Sequence, residues 1–369
     1  MLKVLFDYSG FEESYGGVVR YQTELIRNLP TDVMAQISLA ATPHKTLQQP
    51  LFSFPAAKQT VADFMPGVKF PGKRRLYLQL AQIFPNKYPS AELSNRRLFE
   101  RLLADGDFDV LHLTGPHRYS SGWQQVAGKK AITVTVHDLV PELFWHDKRV
   151  WLERKEVLSA ADLVIAVSEN TKRDLIELYG MPSKKISVVY HGIGTQEFMS
   201  CLKSDKQRKL GKEEYLLYVG KRGGYKNYDW FEHAVQPWLQ KKSRRKILTA
   251  DGCLSDAELV QLYAGAFAYV CPSHYEGFGM PVLESMAVGC PAVLARTASL
   301  PEIGGSAASY FESGNADELL LRLNELEDVE TRTTQIEAGL KRAAEFSWTK
   351  CANETVKVWQ TAVTAHNAK

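Results

Sequence analysis

Short apolar runs alternate with helix-like segments along nearly the whole chain, and this alternation constrains the fold more than any other feature. Each run is followed by a turn and then by a segment with helical periodicity. Short runs without polar interruption are typical of strands that are buried in a parallel sheet. The sequence therefore predicts an α/β protein with parallel sheets. The runs lie at residues 2–8, 110–113, 131–136, 163–167, 186–190, 215–219, 246–250, 267–271 and 291–294.

A polar stretch without periodicity, at residues 192–212, divides these runs into two series. At about 150 residues per domain, the 369 residues of the chain suffice for two cores. We therefore predict an N-terminal domain at 1–195 and a second domain at 196–347. Two parallel sheets in tandem place a ligand cleft between them, at the carboxyl ends of the strands. The predicted helices lie at residues 18–29, 168–179, 227–239, 255–264 and 281–288, with further helices toward the C-terminus.

Composition excludes several classes of protein. The chain has 45 basic and 42 acidic residues, and a net charge of +3 is too small for a uniformly basic nucleic-acid-binding surface. Its five cysteines contain no C-x-x-C pair, so neither a disulfide framework nor a zinc module is expected. No run approaches 18 apolar residues, so we predict no membrane span. Together these features lead us to expect a cytoplasmic protein.

Two glutamates enclose a glycine-rich helix start at residues 276–284, Glu-Gly-Phe-Gly-Met-Pro-Val-Leu-Glu. Pro281 suits the first position of a helix, and the free N–H groups of a helix start attract a phosphate. Glu284, one turn into the helix, is suited to accept hydrogen bonds from two sugar hydroxyls, and Glu276 is suited to bind a second sugar. The alternative is a capped helix that carries two surface acids.

A basic glycine turn follows the predicted strand at 215–219, with the sequence Gly-Lys-Arg-Gly-Gly-Tyr-Lys-Asn at 220–227. Arg222 can form two parallel hydrogen bonds to a pyrophosphate, and Lys226 supplies a second positive charge. Taken alone, such a turn is typical of a solvated loop. Next to a helix start at the same cleft, a phosphate-binding role is favoured. The turn is not a P-loop, because G-x-x-x-x-G-K-[ST] is absent.

A His-Asp pair ends the predicted strand at 131–136. His137 therefore lies at the mouth of the expected cleft, where a neutral imidazole can hydrogen bond to a sugar hydroxyl and Asp138 can orient the ring. A purely structural histidine is the alternative.

These motifs, in this order, resemble those of the retaining glycosyltransferases of family 4, which have the GT-B fold. The resemblance covers nearly the whole chain. It implies two Rossmann-like domains with a cleft between them and a last helix, 348–369, that crosses back to the N-terminal domain. Further matching segments are Gly16-Gly17-Val18-Val19-Arg20-Tyr21, Val167-Ser168-Glu169-Asn170 and Phe346-Ser347-Trp348.

The resemblance also implies roles for individual residues. His137 and Glu276 would contact the transferred sugar, Arg222 and Lys226 the donor pyrophosphate, and Glu284 the nucleotide ribose. Backbone groups near the donor pyrophosphate would be those of Gly16 and Gly17. The backbone amides on sugar and phosphate would be those around Gly279, Met280, Pro281, Val282 and Leu283.

The implied activity is transfer of a hexose from a nucleoside diphosphate sugar to a hydroxyl of a glycan or lipid-linked glycan, in surface polysaccharide biosynthesis. Mannose from a guanosine diphosphate donor is favoured by the resemblance, whereas rhamnose, glucose, galactose and N-acetylhexosamine stay open. No metal or other cofactor is expected, since cations and a helix start can stabilise the leaving diphosphate. Two alternatives stay open: a non-catalytic partner subunit with the same fold, and a sugar-nucleotide epimerase.

One departure from the family concerns the second domain. The basic stretch at 241–246 runs directly into the predicted strand at 246–250, where the family has a further strand and helix. We therefore expect the nucleotide domain to lack about one βα unit, with the loop at 252–254 on the side of the base. Asp105-Gly106-Asp107 has the D-x-D pattern of a metal site, but it lies in a polar turn before a strand and is interpreted as structural.

The positive charge of the chain is concentrated near its N-terminal third. Residues 69–101 hold eight basic and two acidic residues. Such a segment, with aromatic and apolar neighbours, is suited to an anionic lipid surface or a lipid-pyrophosphate-linked acceptor. A solvated helix face is the alternative. The proposed acceptor or membrane patch consists of Lys69, Lys73, Arg74 and Arg75. Through this patch we expect peripheral contact with the inner face of the cell membrane.

Overall fold

The computed structural model describes residues 1–11, 16–40, 79–80, 83, 90–116, 122–194, 198–200, 215–241, 245–251 and 254–369. The patch residues Lys69, Lys73, Arg74 and Arg75 lie outside this part of the chain, as do Gly252 and Cys253 of the expected base-side loop. What the sequence predicts for them stays a prediction.

The first sheet has six parallel strands in the order β2-β1-β3-β4-β5-β6. Every residue of β3, β4 and β5 is buried, as expected for apolar runs that pack against helices. The predicted strands at 110–113 and 131–136 are confirmed at both ends, whereas the sequence did not predict β2. The six strands are β1 (Leu2–Phe6), β2 (Val33–Ile37), β3 (Val110–Leu113), β4 (Ala131–Val136), β5 (Leu163–Ala166) and β6 (Ile186–Val188).

Helices connect these strands and are set by local capping. The Ser168 side chain accepts a hydrogen bond from the Thr171 amide, and Gly180 closes the same helix with a φ of 63°. The start and stop predicted there are therefore confirmed. The helices described in this half of the chain are α1 (Gly17–Arg27), α2 (Ala91–Asp105), α3 (Lys148–Ala160) and α4 (Glu169–Tyr179).

The second sheet has five parallel strands in the order β11-β10-β9-β7-β8. The strand β8 lies at one edge and pairs with β7 from Tyr215↔Lys246 to Val219↔Ala250. The predicted strands at 215–219 and 246–250 are confirmed at both ends. The five strands are β7 (Tyr215–Val219), β8 (Lys246–Ala250), β9 (Ala268–Cys271), β10 (Ala292–Ala295) and β11 (Ser309–Phe311).

One predicted helix of the second half is two helices. The sequence predicts a single helix over 227–239, but the chain forms α5 (Tyr228–Ala234) and α6 (Gln236–Lys241) with Val235 between them. The reason is Pro237, which lacks an N–H and whose ring clashes with the carbonyl four residues earlier. The helices that follow are α7 (Asp256–Gly265), α8 (Met280–Val288), α9 (Leu300–Gly304), α10 (Ala316–Glu325) and α11 (Val329–Ala343).

The last helix, α12 (Trp348–Asn367), packs against the first sheet although it follows the second. Its buried face belongs to the hydrophobic core around β1 to β6, and the ring of Trp359 lies 5.6 Å from that of Phe6. The second sheet has a separate hydrophobic core. Within the described ranges, no helix combines the length and the apolar character that crossing a membrane requires.

Candidate active site

Two helices begin opposite each other where the domains meet. Gly16, with a φ of 143°, precedes α1, and Gly279, with a φ of 99°, precedes α8. Neither helix start has a hydrogen bond from a capping side chain. They are close neighbours, because a methyl group added to Gly17 would lie 2.8 Å from Cε of Met280. The positive ends of two helix dipoles therefore meet in the cleft, an arrangement that attracts an anion.

The amides at the start of α8 are not all available to a ligand. Pro281 has no N–H, and the Val282 amide donates to the Gly279 carbonyl at 3.0 Å. The side chains of Val282 and Leu283 are buried in the second core. Fewer backbone amides over residues 279–283 are therefore available to a ligand than the resemblance implies, since neither Pro281 nor Val282 has a free N–H.

Lys226 and Glu276 form an ion pair at the cleft. Nζ of Lys226 lies 2.7 Å from Oε1 and 2.8 Å from Oε2 of Glu276, and the Ser273 hydroxyl donates to Oε1 at 2.7 Å. The two loops are tied together by their backbones, because the His274 amide donates to the Tyr225 carbonyl at 2.8 Å. Burial lowers the pKa of Lys226, but the Glu276 carboxylate and the neighbouring Tyr225 together outweigh this effect and raise the pKa above its ordinary value. The structure therefore brings together two of the predicted site residues, one cationic and one anionic.

The glutamate loop packs directly on the end of β4. A methyl group added to Gly277 would lie 1.8 Å from the carbonyl oxygen of His137. The Gly277 carbonyl accepts hydrogen bonds from the hydroxyls of Ser168, at 2.7 Å, and Thr171, at 3.2 Å. The backbone of His137 thus lies against the glutamate loop, and its ring packs against that of Tyr21 with centroids 4.9 Å apart.

Asp138 follows His137 and is held inside the first domain. Burial raises the pKa of its carboxyl, an effect that Arg154 and, more weakly, Lys226 oppose. The Val140 amide donates to its Oδ1 at 3.1 Å. The role that the sequence predicts for this carboxyl, to orient the His137 ring, stays a prediction.

Arg222, on the same loop as Lys226, has a different set of contacts. Its guanidinium is exposed, donates to the Thr249 hydroxyl at 2.6 Å and stacks over the Tyr228 ring at 4.8 Å. It lines an open groove of about 540 Å³ beside the edge strand β8. Arg222 and Lys226 therefore have different partners, and their shared role on one pyrophosphate stays a prediction.

An arginine without a predicted role completes the contact between the domains. Nη1 of Arg20, on α1, donates to Oε1 of Glu284 at 2.5 Å, and Nη2 pairs with Asp256 at the start of α7. The Tyr263 hydroxyl donates to Oε2 of Glu284 at 3.2 Å. Glu284 is only 3% exposed, and burial raises the pKa of its carboxyl, an effect that Arg20 opposes. The sequence places Arg20 in the Gly-Gly-Val-Val-Arg-Tyr segment but does not predict its partners.

A second contact between the domains was also missed. The carboxylate of Glu302, on α9, accepts hydrogen bonds from the amides of Glu169 and Asn170 at 2.7 and 3.1 Å. A carboxylate at the start of α4 is favourable to the helix dipole. The Asp105-Gly106-Asp107 segment has structural contacts. Gly106 ends α2 with a φ of 64°, and Asp107 forms an ion pair with Lys3 at 2.5 Å.

Two family models match the chain. The model described as Glycosyltransferase Family 4 matches residues 15–197, which include most of the first sheet. The model described as Glycosyl transferases group 1 matches residues 248–342, in the second half.

Individual proteins show the same relationship. The chain is 26% identical to O-antigen chain mannosyltransferase B of Escherichia coli over 269 residues, which cover 63% of this chain and 70% of that protein. It is 28% identical to O-antigen chain mannosyltransferase RfbU of Salmonella typhimurium over 208 residues, or 48% of this chain and 56% of that protein. The chain therefore spans just over half the length of the second relative.

A solved structure extends the likeness to the whole fold. The sucrose-phosphate synthase of Thermosynechococcus elongatus superposes with a TM-score of 0.68 at 16% identity, covering 99% of this chain and 100% of that one. The order of both domains and the return of the last helix are therefore part of one shared architecture.

Proposed function

The chain belongs to the family 4 glycosyltransferases and has their GT-B fold, and on that premise we propose that it transfers a hexose from a nucleoside diphosphate sugar to a hydroxyl of a glycan or lipid-linked glycan. Mannose from guanosine diphosphate mannose is the donor proposed first, because the two relatives above are named as O-antigen chain mannosyltransferases. The product would contribute to a surface polysaccharide.

The observation that carries this proposal is the meeting of two uncapped helix starts with the Lys226–Glu276 pair. Helix starts and an ammonium attract a diphosphate. The carboxylate of Glu276 is a hydrogen-bond acceptor that suits sugar hydroxyls. Lys226 contacts Glu276 directly, so the cation and this acceptor occupy one place in the cleft.

The proposed reaction breaks the bond between the anomeric carbon and the diphosphate oxygen and forms a bond to the acceptor oxygen. Negative charge grows on the leaving diphosphate, and Lys226 and the two helix starts are positioned to stabilise it. The acceptor oxygen attacks the anomeric carbon from the face that the diphosphate leaves, so the anomeric configuration is retained. The proton of the acceptor hydroxyl passes to the leaving phosphate. The proposal needs no metal, because residues of the chain supply the positive charge.

Calorimetry and thermal unfolding with guanosine, uridine and adenosine diphosphates test donor binding. Saturation at about a hundred times the dissociation constant stabilises a protein by about 2.7 kcal/mol, which for domains of this size is a rise of about 5–10 °C. Glu284→Gln should lose most of this rise, whereas Glu312→Gln, at an exposed ion pair with Arg296, should keep it. If none of the three nucleotides stabilises the protein, the proposed function is wrong.

Transfer itself is tested with radiolabelled guanosine diphosphate mannose and a lipid extract as acceptor, and nuclear magnetic resonance of the first product reports retention or inversion.

We also propose that the patch of Lys69, Lys73, Arg74 and Arg75 contacts an anionic membrane. Replacing Lys73 and Arg74 by glutamate should reduce sedimentation with anionic vesicles. Unchanged sedimentation would reject the membrane contact and leave the transfer reaction unaffected.

A further inference from the structure

Arg20 connects the first domain to two carboxylates of the second. Its guanidinium donates to Glu284 through Nη1 and pairs with Asp256 through Nη2. We propose that Arg20 is a positioning residue of the donor site, which holds the Glu284 carboxylate in the orientation that accepts the hydroxyls of the donor ribose. This inference rests on the proposed function.

The hydrogen bonds already made by Glu284 do not use all of its acceptor positions. An ionised carboxylate has about four acceptor positions, two on each oxygen. Arg20 takes one on Oε1, and the Tyr263 hydroxyl takes one on Oε2. Counting the hydrogen bonds from described residues, one position on each oxygen is left. Two neighbouring oxygens with one position each match the two neighbouring hydroxyls of a ribose.

Charge explains why this carboxylate needs an arginine. Glu284 is 3% exposed, so its ionised form is poorly solvated. Asp256 adds a second negative charge close by, and Tyr263 offers only a neutral hydroxyl. Arg20 faces both carboxylates, with Glu24 of its own helix as a further acid nearby. Without the guanidinium, two acids would face each other, and the carboxyl of Glu284 would favour its protonated form, which accepts hydrogen bonds less well.

The position of Arg20 on α1 gives the contact a second consequence. The Arg20 amide donates to the Gly16 carbonyl at 3.2 Å, so the residue lies in the first turn of the helix that starts at Gly17. An ion pair at Arg20 therefore fixes where the start of α1 lies relative to α8. Ribose orientation and the placing of the two helix starts around a diphosphate depend on the same side chain.

Discrimination between ribose and deoxyribose tests the proposal. The tightest binder among guanosine, uridine and adenosine diphosphates is chosen by calorimetry, and its dissociation constant is compared with that of its 2′-deoxy form. A hydrogen bond to a charged group is worth about one factor of ten in affinity, so the wild-type protein should bind the 2′-deoxy form about tenfold more weakly. Arg20→Met should reduce this ratio to near one, and Arg20→Lys, which keeps the charge, should give an intermediate ratio.

The matched control is Arg27→Met, because Arg27 lies on the same helix and pairs with Glu24 within its own domain. It should keep the wild-type ratio. The double variant Arg20→Met, Glu284→Gln should have the same ratio of 2′-deoxy to ribose dissociation constants as Glu284→Gln alone. Both changes remove the same function, the binding of the ribose by the Glu284 carboxylate.

The outcomes separate this inference from the proposed function. Wild-type protein that binds none of the three diphosphates would overturn the proposed function. A second outcome is that the wild-type protein binds a diphosphate while Arg20→Met weakens the binding of the ribose and 2′-deoxy forms equally and so keeps the tenfold ratio of their dissociation constants. That result would overturn the role of Arg20 and leave the transferase assignment in place. Should Arg20→Met fail to fold, an Arg20→Lys variant with an unchanged ratio would overturn it as well.

Discussion

The ammonium of Lys226 donates to both carboxylate oxygens of Glu276, at 2.7 and 2.8 Å. The distance between the proposed phosphate-binding cation and the proposed sugar-binding acid is therefore fixed before any substrate arrives. Side-chain exposures of 22% and 15% show that water is largely excluded from the pair. A preorganised charge of this kind favours a transition state more than it would in open water.

Lys226→Met should remove this charge and reduce kcat by about 10²–10³-fold, the usual effect of deleting one preorganised donor. The free energy of unfolding should fall by about 1–3 kcal/mol, because the half-buried Glu276 loses its cationic partner. Steady-state transfer assays and chemical denaturation measure the two effects. Lys221→Met, at an exposed lysine of the same loop, is the control and should change neither quantity. Transfer at the wild-type rate by the Lys226 variant would remove this residue from the site.

Arg222→Ala should weaken donor binding by about fivefold at low salt, because an exposed cation contributes about 1 kcal/mol or less to binding an anion. The effect should vanish near 1 M salt, where the Debye length is about 3 Å. The melting temperature should stay unchanged. Arg296→Ala is the matched control, since Arg296 is also an exposed arginine that lies over a tyrosine ring. Its guanidinium carbon is 5.0 Å from the centroid of the Tyr310 ring. A loss of a hundredfold or more that persists in salt would show that Arg222 acts inside the cleft.

Interior strands of the two sheets, whose residues are mostly buried, were the most predictable part of the fold, and the edge strand at 246–250 was predicted as well. The strands at 110–113, 131–136, 215–219 and 246–250 have the bounds that the sequence predicts. The missed strands lack this signal. In β2 exposed and half-buried residues alternate at the edge of the sheet, and β11 has only three residues. Their pairing is decided by the neighbouring strand rather than by their own composition.

The candidate site divides in the same way. Lys226, Glu276 and His137 stand in local motifs at strand ends, so topology alone brings them to one edge of each sheet. The partners of Arg20 could not be predicted, because Asp256 and Glu284 follow it by 236 and 264 positions. That contact depends on how two separately folded sheets meet, and a local sequence pattern does not encode such an arrangement.

Gly277→Ala should disrupt the junction between the domains. Its Cβ would lie 1.8 Å from the His137 carbonyl oxygen, so backbone on one side must move. The hydrogen bonds from Ser168 and Thr171 to the Gly277 carbonyl would be strained with it. Transfer activity should be lost, and the melting temperature should fall by several degrees. Gly180→Ala is the control: it lies in open space with a φ of 63° and should cost only about 1 kcal/mol through its backbone. Full activity of the Gly277 variant would show that the junction does not close in solution.

A buried histidine links the last helix to the first sheet and makes stability depend on pH. Nδ1 of His112 lies 2.9 Å from the Thr133 hydroxyl and 3.2 Å from the indole nitrogen of Trp359. The indole N–H can only donate, so Nδ1 is an unprotonated acceptor. The proton of the neutral ring is then on Nε2, which lies 3.2 Å from the Thr135 hydroxyl. Burial lowers the pKa of His112 to about 3.

In the unfolded chain the histidine has an ordinary pKa of about 6.5. Between about pH 3 and 6.5 the unfolded chain is therefore protonated at His112, whereas the folded protein is not. Stability should therefore fall as the pH is lowered, with His112 accounting for about 2 kcal/mol between pH 7 and pH 5. His112→Gln should lower the melting temperature at pH 7 and flatten its decline toward pH 5. His233→Gln, at an exposed histidine of the second domain, should leave the slope unchanged. Parallel melting curves for wild type and the His112 variant from pH 7 to pH 5 would show that His112 is already protonated in the folded protein.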